Sequence, residues 1–537
     1  MKSLSTVLAI LSFTVFLNCT NEPPICDVVI HKGTIYNGTG EEPYQGTIAI
    51  LGDSIIYVGP EKEFKANTSI DASGKAVSPG FINMLSWGYE NLLNDGRSLS
   101  DLKQGVTLEV FGEGTSPGPQ GNKKDDSYIS FGEAMDSLIE SGVSTNIASF
   151  LGATTVRIQH IGYENRRATA SELIAMQQSV KEAMEEGAMG IGSSLIYAPG
   201  DYADTDELTA LCKMASDHGG MYISHMRNED HSVIEALEEL LTIAKKANIP
   251  AEIYHLKTSR KPNWHLLDSV IKKVEEARAN GLRITADMYT YNASSTGLTG
   301  VIPTWVQEGG HDAWIARMKQ PGPRKRLLED IRKELDQQPA SGILMVGFNK
   351  DSLDAIYRGK TVAEAAEMRN QSPEEAIIDL IIEDDSRIQC IYFSMSEENI
   401  RKKIQISWVS FCSDAGSYSD LSKDFKTHPR AFGSFIRVLG KYTREENLLT
   451  VQKAIHKLSG LPATNLGIKD RGFLKEGYKA DLVVFDPEKV VDHATFDQPL
   501  QFAEGKIHVF VNGVSVLSNG EHTGAFPGRF IKGQGAK

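Results

Sequence analysis

The sequence predicts an α/β fold: a closed (β/α)8 TIM-like barrel carrying a small β-sandwich domain built from both chain ends. Three observations predict it. Eight buried-strand patterns alternate with amphipathic helical stretches through the middle of the chain, both ends carry short strands punctuated by glycine, and no glycine-rich phosphate loop follows the first central strand.

Lys2 precedes an apolar run at residues 7–17 that is too short to span a bilayer and has the length of a secretory signal. It ends in Leu17-Asn18-Cys19, a loose lipobox with Phe16 at the third position before the cysteine. Cleavage before Cys19 would leave a lipidated N-terminus tethering a soluble body, and a plain cleaved signal with an incidental Cys19 is the alternative. Residues 1–19 are therefore expected to be a leader, and the protein is expected to be exported to the periplasmic side. Its only expected membrane contact is a lipid anchor.

Strand patterns at 27–30, 33–36, 46–50 and 54–58, and again at 480–486 and 508–513, assign residues 26–78 plus 475–530 to the β domain. Residues 79–474 form the barrel, with strands expected at 80–86, 105–112, 146–152, 188–197, 220–227, 251–257, 283–291 and 407–414. Helices with apolar residues at three- and four-residue spacing are expected at 170–186, 205–217, 232–247 and 264–279. The stretch 311–403 is long for one connection and carries helical patterns, so it reads as an inserted helical subdomain over the catalytic face.

The formal charge of −14 comes without any basic cluster interleaved with aromatics, which excludes nucleic acid as a partner. Five cysteines without a Cys-x-x-Cys pair argue against a disulfide scaffold.

Two histidines, His225 and His255, each close an apolar strand pattern and are separated by a helical stretch. Side chains at successive strand ends of a parallel barrel converge on one point, so the pair reads as metal ligands or, on spacing alone, as two satisfied buried imidazoles. Asp414, at the end of the last strand pattern, supplies a carboxylate where a hydrolase needs a base.

Ordered motifs extend the pattern over most of the chain. They include Gly192-Ser193-Ser194-Leu195-Ile196-Tyr197-Ala198-Pro199-Gly200, Ser224-His225-Met226-Arg227-Asn228-Glu229, His255-Leu256-Lys257, Ser413-Asp414, His428-Pro429-Arg430 and Asp470-Arg471-Gly472. Together they resemble the amidohydrolase superfamily, in its N-acyl-D-amino-acid deacylase branch. The resemblance implies a zinc-dependent hydrolase that cleaves the amide of an N-acylated D-amino acid, a small-molecule substrate. It also implies Asp414 as the proton carrier, Tyr197 as the group facing the substrate carbonyl, and Lys257 and Arg430 as the grip on the substrate carboxylate. Tyr289 and Tyr291 are expected to line the pocket, with core packing as the alternative. His160 matches a family histidine and is expected beside the site, not as a ligand.

Two departures fall on the metal site. Where the family carries Asp-x-His-x-His after its first strand, this chain has Asn83-Met84-Leu85-Ser86-Trp87, and neither Leu85 nor Trp87 can ligate zinc. Where the family places a ligating cysteine after its second strand, this chain reads Gly112-Glu113-Gly114-Thr115-Ser116-Pro117, one residue shorter. Deleting one family residue aligns Glu113 with the cysteine, and the alternative pairing puts Gly114 there and removes the ligand. On the first pairing Glu113, His225 and His255 hold one Zn2+ per chain. A dipeptidase or cyclic-amide hydrolase on the same centre, and a lipoprotein that kept the fold without the chemistry, are the other readings.

Overall fold

The computed structural model of the chain describes residues 23–121, 127–422 and 425–537. The expected leader, with Cys19, lies outside the described residues. Among the described residues no helix is long and apolar enough to cross a membrane.

Seven assigned barrel strands run parallel and in sequence order. Phe81–Asn83 pairs with Val106–Phe111, which pairs with Asn146–Ser149. Leu151–Gly152, the second piece of that third strand, then carries the ladder to Gly190–Ser194, followed by Met221–His225, Ala251–Ile253 and Ile284–Ala286. Residues 408–414 close the ring as the eighth segment. The Ser410 N–H donates to Ala286 O at 2.8 Å and the Cys412 N–H to Met288 O at 3.0 Å on one side, and the Asp414 N–H donates to Leu85 O at 2.9 Å on the other. Closure satisfies the backbone groups that an open sheet would leave at two edges.

The helices follow from local chemistry as well as periodicity. Ala170–Glu186 starts at a reciprocal cap, in which Thr169 Oγ1 accepts the Glu172 N–H and the Glu172 carboxylate accepts the Thr169 N–H. Val233–Ala247 stops at Asn248, whose left-handed backbone (φ 52°) ends the helix. Their apolar faces, including Met176, Val180, Leu237, Leu240 and Ile243, pack on the outer surface of the strands in one continuous core.

The two chain ends meet in one nine-stranded sheet, joined where Leu482–Phe485 lies antiparallel to Ala76–Pro79. Its core draws Val28, Ile30, Ile48 and Ile50 from the first end and Leu482, Val484 and Phe510 from the second. Beyond Glu521–His522 the chain leaves this sheet and straps the barrel. The Ile531 N–H donates to Ile147 O at 2.8 Å and the Gly533 N–H to Gly187 O at 2.9 Å. A Cβ on Gly533 would sit 2.3 Å from Ala188 O, so only glycine permits the approach. Thr523 still bonds the sheet through its N–H to Val516 O at 3.1 Å, and from Gly528, whose N–H donates to Val143 O at 2.8 Å, the tail runs along the barrel.

The insertion also differs from its expected span, 311–403. It begins at Ser294–Gly297, a polar strand with no apolar alternation to announce it, which pairs antiparallel with Gln389–Tyr392 beside Ile343–Gly347. Around that small sheet Trp314, Leu327, Ile331, Ile377 and Ile381 form a core separate from that of the barrel. The segment is mixed α and β, and Glu397–Ile404 returns to the barrel, burying Ile400 and Ile404 in its core.

Candidate active site

The carboxyl ends of the barrel strands and the insertion enclose a cavity of about 1120 Å³. At its base three buried side chains converge. Glu113 stands two residues beyond the second strand, between Gly112 (φ 110°) and Gly114 (φ 74°), whose left-handed backbones turn the chain inward. His225 is the last residue of the fifth strand. His255 follows the sixth with a left-handed backbone (φ 35°), held by its N–H donating to Asp287 Oδ1 at 2.7 Å.

Glu113 Oε1 lies 2.7 Å from His225 Nδ1 and 2.9 Å from His255 Nε2. The two imidazoles cross at 83° with centroids 4.5 Å apart. Of the two pairings open in the sequence, the structure supports the one that uses Glu113. Gly114 offers no side chain, whereas the Glu113 carboxylate meets both imidazole nitrogens, with one ligand-type atom from each residue within 4.8 Å of the others. Two imidazole nitrogens and a carboxylate oxygen are a donor set suited to zinc with an open position.

The electrostatics agree. Burial would raise the Glu113 carboxyl, but His255 and His225 beside it hold it well below the usual carboxylate range. Burial and Lys257 would push the His255 imidazole down, yet the Glu229, Glu113 and Asp414 carboxylates overcome both and push it up to about 10. The site is a pocket of paired charge that a divalent cation would enter by displacing protons.

Asp414, at the end of the eighth segment, has a left-handed backbone (φ 50°) that aims its carboxylate into the cavity. Its Oδ2 lies 2.6 Å from Arg430 Nη1 and its Oδ1 3.2 Å from Trp87 Nε1. Trp87 Nε1 also lies 3.1 Å from Glu113 Oε2. Tyr197 packs edge-on against His225 at 5.4 Å and donates its hydroxyl to Thr296 Oγ1 of the insertion at 2.9 Å. Burial raises its pKa, so the phenol stays protonated and is a donor.

The two cations expected to grip a substrate carboxylate are already paired within the protein. Lys257 Nζ lies 2.8 Å from Glu229 Oε1 and 2.6 Å from His255 Nδ1, so its first task is to hold Glu229 and His255. Arg430 stacks on Tyr289 at 4.6 Å and pairs with Asp414, while its buried Nε has no hydrogen-bond partner among the described residues.

Tyr289 lines the cavity as expected, but Tyr291 does not. Its ring sits 4.8 Å from the Arg437 guanidinium and its hydroxyl lies 3.3 Å from Asp492 Oδ2. The seventh strand ends at Ala286, so the two-residue alternation that would aim both tyrosines alike no longer applies at 289 and 291. His160 bonds Ser179 of the outer helix at 2.9 Å and does not line the cavity.

Sequence reasoning missed Glu229. Its carboxylate lies 3.4 Å from His225 Nε2 and 3.2 Å from His255 Nδ1, opposite the nitrogens that face Glu113. Burial opposes its charge, yet His225, Lys257 and His255 keep it ionised. A carboxylate behind two imidazoles stabilises positive charge on them, and Lys257, 2.6 Å from His255 Nδ1, shares that side of the site. The available signal was an acid four residues after His225 in a run already singled out.

Comparison with known proteins completes the picture. Residues 417–517 match the model of an amidohydrolase family. The chain is 30% identical to a D-aminoacylase of Alcaligenes xylosoxydans xylosoxydans, covering 94% of this chain and 97% of that protein. It is also 30% identical to an N-acyl-D-glutamate deacylase of the same organism, covering 94% and 96%. Among solved structures, N-acyl-D-glutamate deacylase from Bordetella bronchiseptica, complexed with zinc and a phosphonate inhibitor that mimics the reaction's tetrahedral intermediate, superposes with a TM-score of 0.79. That pair shares 28% identity over 94% of this chain and 99% of the other.

Proposed function

The chain belongs to the D-aminoacylase branch of the amidohydrolase family, and from that premise we propose that it hydrolyses the amide of N-acyl-D-amino acids, with zinc, to a carboxylate and a free D-amino acid. The observation that carries the reading is the convergence of Glu113, His225 and His255 at the base of the cavity, with Asp414 and Tyr197 among its lining residues. Those three residues would hold one zinc, whose chemistry there is Lewis acidity toward water and toward an amide carbonyl.

The chain's own groups divide the remaining work. Asp414 accepts the proton of the attacking water and returns it to the leaving nitrogen, with Arg430 fixing the orientation of its carboxylate. Tyr197, neutral and hydroxyl-bearing, turns from Thr296 to the carbonyl oxygen as negative charge develops there. Glu229 sets its negative charge behind both imidazoles, and Lys257 holds Glu229 and meets His255 Nδ1. The insertion, through Ser295, Thr296 and Arg387, roofs the cavity and limits access of bulk water.

The test is a panel of N-acetyl-D-amino acids, their L enantiomers and D-containing dipeptides, scored by released amine. Turnover confined to the acylated D series supports the reading, and turnover confined to dipeptides or L substrates refutes it.

Arg430 has two consequences to separate. Arg430→Ala is expected to raise KM for acylated amino acids by roughly 10- to 100-fold, the worth of a charge-assisted bond to the substrate carboxylate. It also lowers kcat, because Asp414 loses its partner. An amide-capped substrate without the carboxylate should show the kcat loss alone, and equal KM changes on both substrates would make Arg430 purely a support for Asp414.

Export and anchoring are part of the proposal and rest on the apolar run 7–17 and Cys19. Cys19→Ser is expected to move the protein from the membrane fraction to the soluble periplasmic fraction. Unchanged membrane association would rule out the anchor.

A further inference from the structure

Trp87 stands where a ligand to a second ion is missing, and its indole is placed by two strands at once. The Trp87 backbone N–H donates to Ala415 O at 2.9 Å, and the neighbouring Ser86 N–H donates to Val110 O at 2.8 Å. The segment is therefore stitched between the second and eighth barrel segments. From that anchored backbone the indole N–H reaches Glu113 Oε2 at 3.1 Å and Asp414 Oδ1 at 3.2 Å. Glu113 and Asp414 are 301 residues apart in sequence, and both are buried carboxylates. Two such anions drawn to one point repel each other unless a donor or cation lies between them. Their other oxygens are committed elsewhere, Glu113 Oε1 to the two histidines and Asp414 Oδ2 to Arg430. The indole N–H thus bridges a member of the ligand set and the proton carrier by hydrogen bonds to both.

We propose that Trp87 is a positioning residue whose shared indole N–H holds Asp414 in register with the Glu113, His225 and His255 site, doing with a neutral donor what a second cation would otherwise do. The inference rests on the zinc hydrolase reading for its kinetic part and on geometry alone for the rest. One zinc per chain is the matching stoichiometry.

The experiment compares wild type with Trp87→Phe, which keeps an aromatic ring and removes the N–H, and Trp87→Gln, which keeps an N–H donor. Trp87→Phe is expected to retain one zinc per chain and to leave KM nearly unchanged. Its kcat should fall by roughly 10- to 100-fold, the range for a lost hydrogen bond to a charged group. Trp87→Gln should recover part of that kcat. A second readout needs no turnover. Addition of zinc alone to metal-free wild type should change the tryptophan emission, and Trp87→Phe, which retains the other four tryptophans of the chain, should lose that change. If wild type binds zinc but turns over no acylated D-amino acid, the functional reading fails while the emission comparison still decides the place of Trp87. Zinc-induced emission changes that are identical in wild type and Trp87→Phe, kcat within about twofold of wild type in Trp87→Phe, or equal kcat losses in the Phe and Gln variants would each overturn the proposal.

Discussion

Glu113→Ala is expected to strip zinc from the protein, with affinity falling by at least a hundred- to a thousand-fold. Zinc held in small protein sites binds with about 10 to 16 kcal/mol, so one ligand among three or four is worth about 3 to 4 kcal/mol. The Glu113 carboxylate is also the group that both imidazoles face, at 2.7 Å and 2.9 Å, so its removal leaves His225 and His255 without their shared acceptor. Glu113→Cys is expected to restore one zinc per chain, because a thiolate is an equally good ligand and Leu85 and Trp87 still provide none for a second ion. Binding should weaken in acid in both wild type and Glu113→Cys, since the metal competes with the proton that His255 holds up to about 10 in the metal-free protein. Zinc per chain after dialysis and competition against a chelator measures each case. Full-affinity zinc in Glu113→Ala would remove Glu113 from the ligand set.

Much of the architecture was legible because it rests on local pattern. The helices Ala170–Glu186 and Thr205–Asp217 coincide with the stretches their periodicity marks, and His225 closes its strand as the apolar run implied. Legibility fails where a residue acts through partners remote in sequence. Trp87 reads as the loss of a ligand, and its donor role exists only because the barrel brings positions 113 and 414 to it. Lys257 and Arg430 read as free cations awaiting a substrate, because nothing in the chain order shows Glu229 and Asp414 already beside them. Ser294–Gly297 carries no apolar alternation, so the start of the insertion was invisible until its pairing with Gln389–Tyr392 was seen. Glu113 is intermediate: its chemistry is plain in the sequence, but choosing it over Gly114 required the position of its carboxylate.

Asp414→Asn is expected to lower kcat by roughly two to four orders of magnitude, the usual worth of a positioned general base, while leaving zinc content intact. The substitution isolates the proton chemistry. Asparagine tolerates the left-handed backbone that residue 414 adopts (φ 50°), so the loop has no reason to move, and the amide oxygen still accepts the indole N–H of Trp87. What disappears is the negative charge. Arg430, 2.6 Å from that carboxylate in the native protein, then has only a neutral amide beside it and is released toward the substrate's carboxylate. KM for acylated amino acids should therefore stay level or fall while kcat collapses, a split that general damage to the site would not produce. Kinetics on an N-acetyl-D-amino acid, with zinc counted on the same sample, checks both halves. Loss of zinc together with activity would make Asp414 a metal ligand, and a KM rising in proportion to the loss of kcat would show that its charge serves substrate binding more than proton transfer.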